Sequence, residues 1–464
     1  MPNHFYSIRR VASCFLMLLI ATVAMTSVSW AQELRLATFA ADASPPVGSP
    51  LAYVTTLGVT EPLSCRGIIL QGKETMVFCT IDWLGVANQS QDDFKRAIAT
   101  AVGTTPELVL LHALHQHDAP RADHTTADIL QDLDVPNQHF DEKWIQQVIR
   151  GAADAAQAAT ANMQPITHYG LGEGIIEKVA SNRRIVGESG KVEFTRTSAT
   201  GDPKVRAMPV GLIDPMCKSI SFWNDDQPLA VLTYYATHPQ SYYRTGWANP
   251  DFPGMARNAR QKETGVFHLH FNGAGGNVTA GKWNDGAKEN RQVLADKVTL
   301  GMKKAWEATV KYPLTASDVS LESIDVLLPC ALHLNEEDLL SLVNDEKASV
   351  FDRMKSASRL SWWRRCERKE PITVSCLSLG EARILFMPGE LFVEYQLAAQ
   401  KMRPDLFVAM AAYGEYGTGY IGTEVSYSQG GYETSPTASY VSPRVEQVLL
   451  KTISQLLQAD KVSE

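Results

Sequence analysis

The chain has 464 residues, 45% of them hydrophobic and 20% charged, with a net charge of −8. That length is ample for one large or two medium domains, and the composition is that of a globular protein without low-complexity tracts. The negative balance and the lack of a long basic stripe argue against nucleic acid as a partner.

The N-terminus reads as a targeting segment. Arg9 and Arg10 precede a mostly apolar stretch from Val11 to Val28, and Ser29-Trp30-Ala31 puts small residues at the two cleavage-determining positions. The mature protein is expected to begin near Gln32 and to be exported, periplasmic or secreted, although the apolar stretch could instead act as an anchor. No later stretch nears the roughly 18 apolar residues needed to span a bilayer. With Cys14 removed, Cys65, Cys79, Cys217, Cys330, Cys366 and Cys376 remain. Cys366 with Cys376, and Cys65 with Cys79, could each close a small disulfide loop. No CxxC occurs, which disfavours a thiolate metal site.

In chain order, Gly67 to Asp82 carries two apolar runs around Gln71-Gly72-Lys73-Glu74, the pattern of a hairpin. Ser90 to Thr100 predicts a helix with Ser90 as its N-cap. Glu107 to Pro120 starts as a short apolar strand and breaks into His112, His115, His117 and Asp118. Lys143 to Met163 predicts a helix with Ile145, Val148, Ile149, Ala152 and Ala156 on one face. Residues 166–233 read as strands and turns, and Leu229 to Tyr235 is a buried strand ending in Thr237-His238-Pro239. Val266 to Phe271 is a strand, and Gly286 to Ala308 a helix. Asn335 to Arg368 predicts peripheral helices. Ala382 to Met387 is a strand ending in Pro388-Gly389-Glu390. Phe407 to Ala412 runs into a Gly/Tyr-rich loop, and Ser442 to Leu457 closes the chain as a helix. No internal repeat and no domain linker is evident. Arg364, Arg365, Arg368 and Lys369 beside Trp362 and Trp363 read as a solvated turn, with a lipid-headgroup contact as the alternative.

If the strand before the histidines continues to residue 117, His115 and His117 share a face and His112 takes the other. An isolated HxH also fits a solvated loop. His268 and His270 form a second HxH, whose apolar flanks point to buried, hydrogen-bonded histidines. Gly276 to Lys282 has P-loop spacing, but Trp283 stands where a Ser or Thr must bind magnesium, which argues against phosphate binding. Its glycines are expected to let the backbone pass close to a bound group. Several strands thus end in polar residues, and two imidazoles plus a carboxylate with one open position form a common catalytic zinc set.

The same residues resemble motifs of the neutral/alkaline (non-lysosomal) ceramidases. The family's HTHSGP is similar to His115-Gln116-His117-Asp118-Ala119-Pro120, and its HP pair to His238-Pro239. Its PGE is Pro388-Gly389-Glu390, and its Y-[IV]-x-T resembles Tyr420-Ile421-Gly422-Thr423. Its YE pair falls on Tyr432-Glu433 and its NR pair on Asn182-Arg183. The matches keep their order across nearly the whole mature chain.

The resemblance implies a mixed α/β catalytic domain over residues 32–464, with mixed sheets flanked by helices and a metal site at strand carboxyl ends. Against the family pattern, the C-terminal β-sandwich of full-length ceramidases is expected to be absent from this chain. The resemblance also implies Zn²⁺ held by His115, His238, Glu390 and Tyr420, with His117 as acid/base and Arg183 and Tyr432 contacting substrate or oxyanion. The implied activity is hydrolysis of an N-acyl, ceramide-like amide by metal-activated water. The partner is then a small-molecule or lipid amide.

Two departures stand out. The family's GDVSPN loop reads Gly276-Asn277-Val278-Thr279-Ala280-Gly281, leaving Thr279 as the only hydroxyl candidate for the family's serine. HTHS has become HQHD, so Asp118 either raises the pKa of His117 or caps a turn. Hydrolysis of a non-lipid ester or amide, or metal binding without turnover, are the alternatives.

Overall fold

The computed structural model describes Met1 and residues 33–459; apart from Met1, the expected signal segment lies outside them. Three mixed sheets surround one apolar core, and helices cover their outer faces. Strands Arg35–Asp42, Ser64–Gln71, Thr75–Ile81 and Val109–Ala113 form the first sheet. His168–Ile175, Met216–Asn224, Gln227–Tyr235 and Phe267–Asn272 form the second. Val319–Val326, Ile372–Leu379, Ala382–Phe386 and Phe407–Ala411 form the third.

Most of these strands are buried on both faces, so their sequences read as continuous apolar runs rather than alternation. Along Thr75–Ile81, Met76 and Phe78 point to the central core while Val77, Cys79 and Ile81 meet the helix layer. Phe78 and Phe271 from the first two sheets both pack on Phe386 of the third, at ring separations of 5.5 and 6.3 Å.

The sheets share a topological unit that the sequence does not show as a repeat. Each sheet contains an antiparallel hairpin, a crossover helix, and a returning strand parallel to the hairpin's second strand. The helices are Asn88–Val102, Asp251–Thr264 and Val393–Met402. The unit recurs as topology without recurring as sequence. Its three returning strands end together: Ala113 N–H donates to Tyr413 O at 3.0 Å, and Ala412 N–H to Asn272 O at 2.9 Å. The Asn272 side chain closes the triangle by donating to Leu114 O at 2.6 Å. Loops from all three sheets therefore begin at one level, and that is where polar side chains can meet.

Several local expectations change. The first helix begins at Asn88, so Ser90 lies within it and is not the cap. Val350–Glu367 is no peripheral helix: Met354, Leu360 and Trp362 are buried, and Phe351, Lys355 and Ser358 face the main cavity. The basic cluster at its end is paired, Arg365 with Glu415 at 2.8 Å and Arg368 with Glu370 at 2.5 Å. All six cysteines are free thiols. Cys65 does neighbour Cys79, but Cys366 contacts Cys330 rather than Cys376, which is buried in a strand. His268 and His270 are buried and hydrogen-bond to Thr264 and Thr233, as expected. Among the described residues no helix is long and apolar enough to cross a membrane.

Candidate metal centre

The strand Val109–Ala113 stops two residues before His115, so alternation along a strand does not orient the histidines. His115 instead adopts a left-handed backbone conformation, φ 71°. Its amide donates to Trp83 O at 2.8 Å and its Nδ1 lies 2.7 Å from Leu84 O. Its ring stacks on Tyr413, centroids 4.4 Å apart. His112, still on the strand, points away and bonds Ala412 O through Nδ1.

The next two candidates come from the other sheets. His238 follows the strand Gln227–Tyr235, and Glu390 follows Ala382–Phe386. Glu390 pairs in parallel register with Tyr420. The loop at residues 273–281 does not line the cavity, and the tight approaches of Gly275, Gly276 and Gly281 are to neighbouring backbone. A Cβ on Gly275 would press on the Thr237 backbone, and one on Gly276 would collide with the Glu390 carbonyl. These glycines let the His238 and Glu390 segments come together through a backbone plate.

His115 Nε2 lies 3.1 Å from His238 Nε2 and 3.3 Å from Glu390 Oε2, and the latter two are 3.8 Å apart. Leu84 O can only accept, so the His115 proton sits on Nδ1 and its Nε2 presents a lone pair. One proton can bridge only two of these three atoms, and Glu390 Oε2 is buried without a hydrogen-bond partner. A cation among them serves all three. Tetrahedral ligands at zinc distances lie about 3.4 Å apart, close to this spacing. The donor set fits a divalent ion such as Zn²⁺.

Surrounding groups tune the set. Burial raises the Glu390 carboxyl, and hydrogen bonds from the Tyr420 and Tyr416 phenols oppose that rise. Tyr416 donates to Glu390 Oε1 at 2.9 Å. Arg183 donates to Tyr420 Oη at 3.1 Å and pairs with Glu433 at 2.8 Å.

His115, His117 and His238 present nitrogens within 4.8 Å of one another. His117 differs from the other two in facing a cavity of about 840 Å³. Its Nδ1 lies 3.3 Å from Pro239 O, which turns Nε2 towards that space. Burial, then the neighbouring His115, push its pKa well below the ordinary histidine value. Arg183, Glu390, Tyr420 and Tyr432 line the same cavity, with Tyr432 at the rim, 48% exposed.

Thr279 is elsewhere. Its buried hydroxyl donates to Arg196 O at 3.2 Å and accepts from Gly281 N–H, and it does not line the cavity. Asp118 caps a turn, accepting from the Thr245 amide at 3.0 Å and from its hydroxyl. The site also includes residues the sequence did not single out: Leu84, Tyr413, Tyr416 and Tyr53, whose ring stacks on His117 at 5.9 Å. The Gly/Tyr-rich loop was the only signal for two of them.

No family model matches the sequence, and no curated protein matches it either. Solved structures do. Neutral ceramidase from Pseudomonas aeruginosa aligns with a TM-score of 0.65 at 14% identity, covering 93% of this chain and 75% of that one. A ceramidase complexed with C2 gives 0.66 at 14% identity, covering 93% and 76%. Three sheets converging on His115, His238 and Glu390 thus form a neutral-ceramidase-like fold.

Proposed function

We propose that this chain is an exported, zinc-dependent hydrolase of an N-acyl amide. The observation that carries the reading is the meeting of two imidazole nitrogens and one unpartnered carboxylate oxygen behind a large cavity. His115, His238, Glu390 and Tyr420 would hold the metal, which when bound supplies positive charge to polarise a carbonyl and acidify water.

The rest falls to the protein's own groups. Neutral His117 accepts a proton at Nε2 and delivers it to the departing amine nitrogen. The Tyr432 phenol and the Arg183 guanidinium, whose carbon lies 5.8 Å from the ring centres of both Tyr432 and Tyr420, face the carbonyl oxygen as it gains charge. Tyr416 keeps Glu390 ionised and oriented. Thr279 stays a structural residue, and its hydroxyl holds the backbone plate.

The test pairs metal analysis with chemistry. Protein purified without chelator should carry about one zinc per chain and release free amine from N-acyl amides. Absence of stoichiometric metal would sink the metalloenzyme reading. Bound zinc with no turnover on any acyl amide or ester would leave a binding protein.

A further inference from the structure

The cavity wall carries more positive charge than a neutral amide needs. Arg121, Arg244, Arg291 and Lys355 all line it, and among the described residues none of them makes an ion pair. A fifth cation, Arg183, is matched by Glu433. The lining acids are engaged: Glu390 belongs to the ligand set, and Asp123 accepts from Thr126 and Asn88. A net-positive cavity therefore sits in a chain of net charge −8.

Three of these charges, Arg121, Arg244 and Lys355, gather around Tyr53 and Phe351. The Arg121 and Arg244 guanidinium carbons each lie 5.5 Å from the ring centre of Tyr53, the ring stacked on His117. Arg121 also sits 5.9 Å from the Phe351 ring, and Lys355 reaches 6.0 Å from the same ring. Arg121 Nη2 donates to Ala52 O at 3.0 Å, which fixes the guanidinium, yet its Nε is buried with no acceptor. A buried, charged N–H without a partner is costly, and no protein carboxylate offsets the Arg121 charge there. Cation–π packing explains why the arginines lie on Tyr53. It does not explain the missing counter-charge.

We propose that the cavity takes an N-acyl amide whose amine half carries an oxyanion, a carboxylate or sulfonate, held by Arg121 and Arg244. This rests on the hydrolase reading in one respect: His117 serves the amine nitrogen, so groups around Tyr53 meet that nitrogen's substituent. A neutral amino alcohol offers these guanidiniums no counter-charge. A planar carboxylate can take two N–H donors from one arginine.

Three lauroyl amides differing only in the amine test it: N-lauroylglycine, N-lauroyltaurine and N-lauroylethanolamine. Binding is measured by calorimetry and cleavage by amine release, on the full chain. The glycine or taurine amide should bind about tenfold or more tighter than the ethanolamine amide, and added salt should shrink that preference. Arg121→Gln should collapse the ratio towards one, and Arg121→Lys should restore part of it. Arg244→Gln, at an exposed position, gives the same readout should Arg121 variants not fold. Equal or better binding of the ethanolamine amide would overturn the proposal, as would a ratio unmoved by both glutamine variants. Arg121-dependent anion binding without cleavage would uphold it while removing the hydrolase reading.

Discussion

At the scale of single residues, the Leu84 carbonyl decides the protonation of the site. By accepting a hydrogen bond from His115 Nδ1–H at 2.7 Å it leaves Nε2 as a lone pair aimed at His238 and Glu390. Roles can therefore be separated by mutation. His115→Ala or His238→Ala should abolish zinc retention in equilibrium dialysis, whereas His117→Ala should keep the metal and lose turnover. The reverse pattern would exchange the roles of His115 and His117. Tyr416→Phe removes one donor to Glu390 and should weaken zinc affinity about 10- to 100-fold, read by competition with a chromogenic chelator. An unchanged affinity would mean that Tyr420 alone orients the carboxylate. His115, His117, His238 and Glu390 drew attention in the sequence because histidines and an acid after apolar strands stand out, whereas Tyr420 entered only through the resemblance to ceramidase motifs. Leu84 and Tyr416 were not, since a backbone carbonyl and one phenol among many carry no spacing signal.

Among elements, the decisive feature is that three hairpin–helix–strand units end at one level, so loops from different sheets can each supply a ligand. The strands were readable from their apolar runs. The repetition was not, because the units share strand order while their sequences and loop lengths differ. His115 shows the same limit: its left-handed φ of 71° follows from contacts with Trp83, Leu84 and Tyr413, which lie far off in sequence. The backbone plate at residues 273–281 makes this level testable. Gly276 N–H donates to Leu391 O at 2.8 Å, and an added Cβ would meet the Glu390 carbonyl. Gly276→Ala should shift Glu390, lower stability by about 1–3 kcal/mol and weaken zinc binding well beyond that loss of stability. Thr279→Ala, on the same plate but turned to Arg196 O, should have only a modest effect on activity. A zinc affinity untouched in Gly276→Ala would show that Glu390 is positioned from its Tyr420 side alone.

Across the whole molecule, buried titratable groups set how stability follows pH. Burial lowers His112 to about 4, opposed by its bond to Ala412 O. Burial lowers His268 and His270 to about 3, assisted chiefly by Arg260 beside His268 and by Arg257 beside His270. Unfolded, each would titrate near 6.5, so between pH 6.5 and 4 the unfolded chain binds more protons and stability falls as pH falls. Asp123 and Asp251, raised by burial to about 6, act the other way, since the folded state binds their protons first. Three histidines with the wider shifts outweigh two aspartates, so the net expectation is acid destabilisation over that window. His112 isolates one contribution. In His112→Asn the side-chain amide can still donate to Ala412 O but cannot titrate. Packing against Phe271 and Phe386 is lost, so the variant should be less stable at neutral pH. Its unfolding free energy should nevertheless fall less steeply from pH 6.5 to 4, by up to about 1.4 kcal/mol per pH unit. Urea unfolding of both proteins with chelator present removes the zinc-linked protons of His115 and His238 from the comparison. Parallel pH profiles for variant and wild type would mean that His112 titrates in the folded state as it does in the unfolded chain.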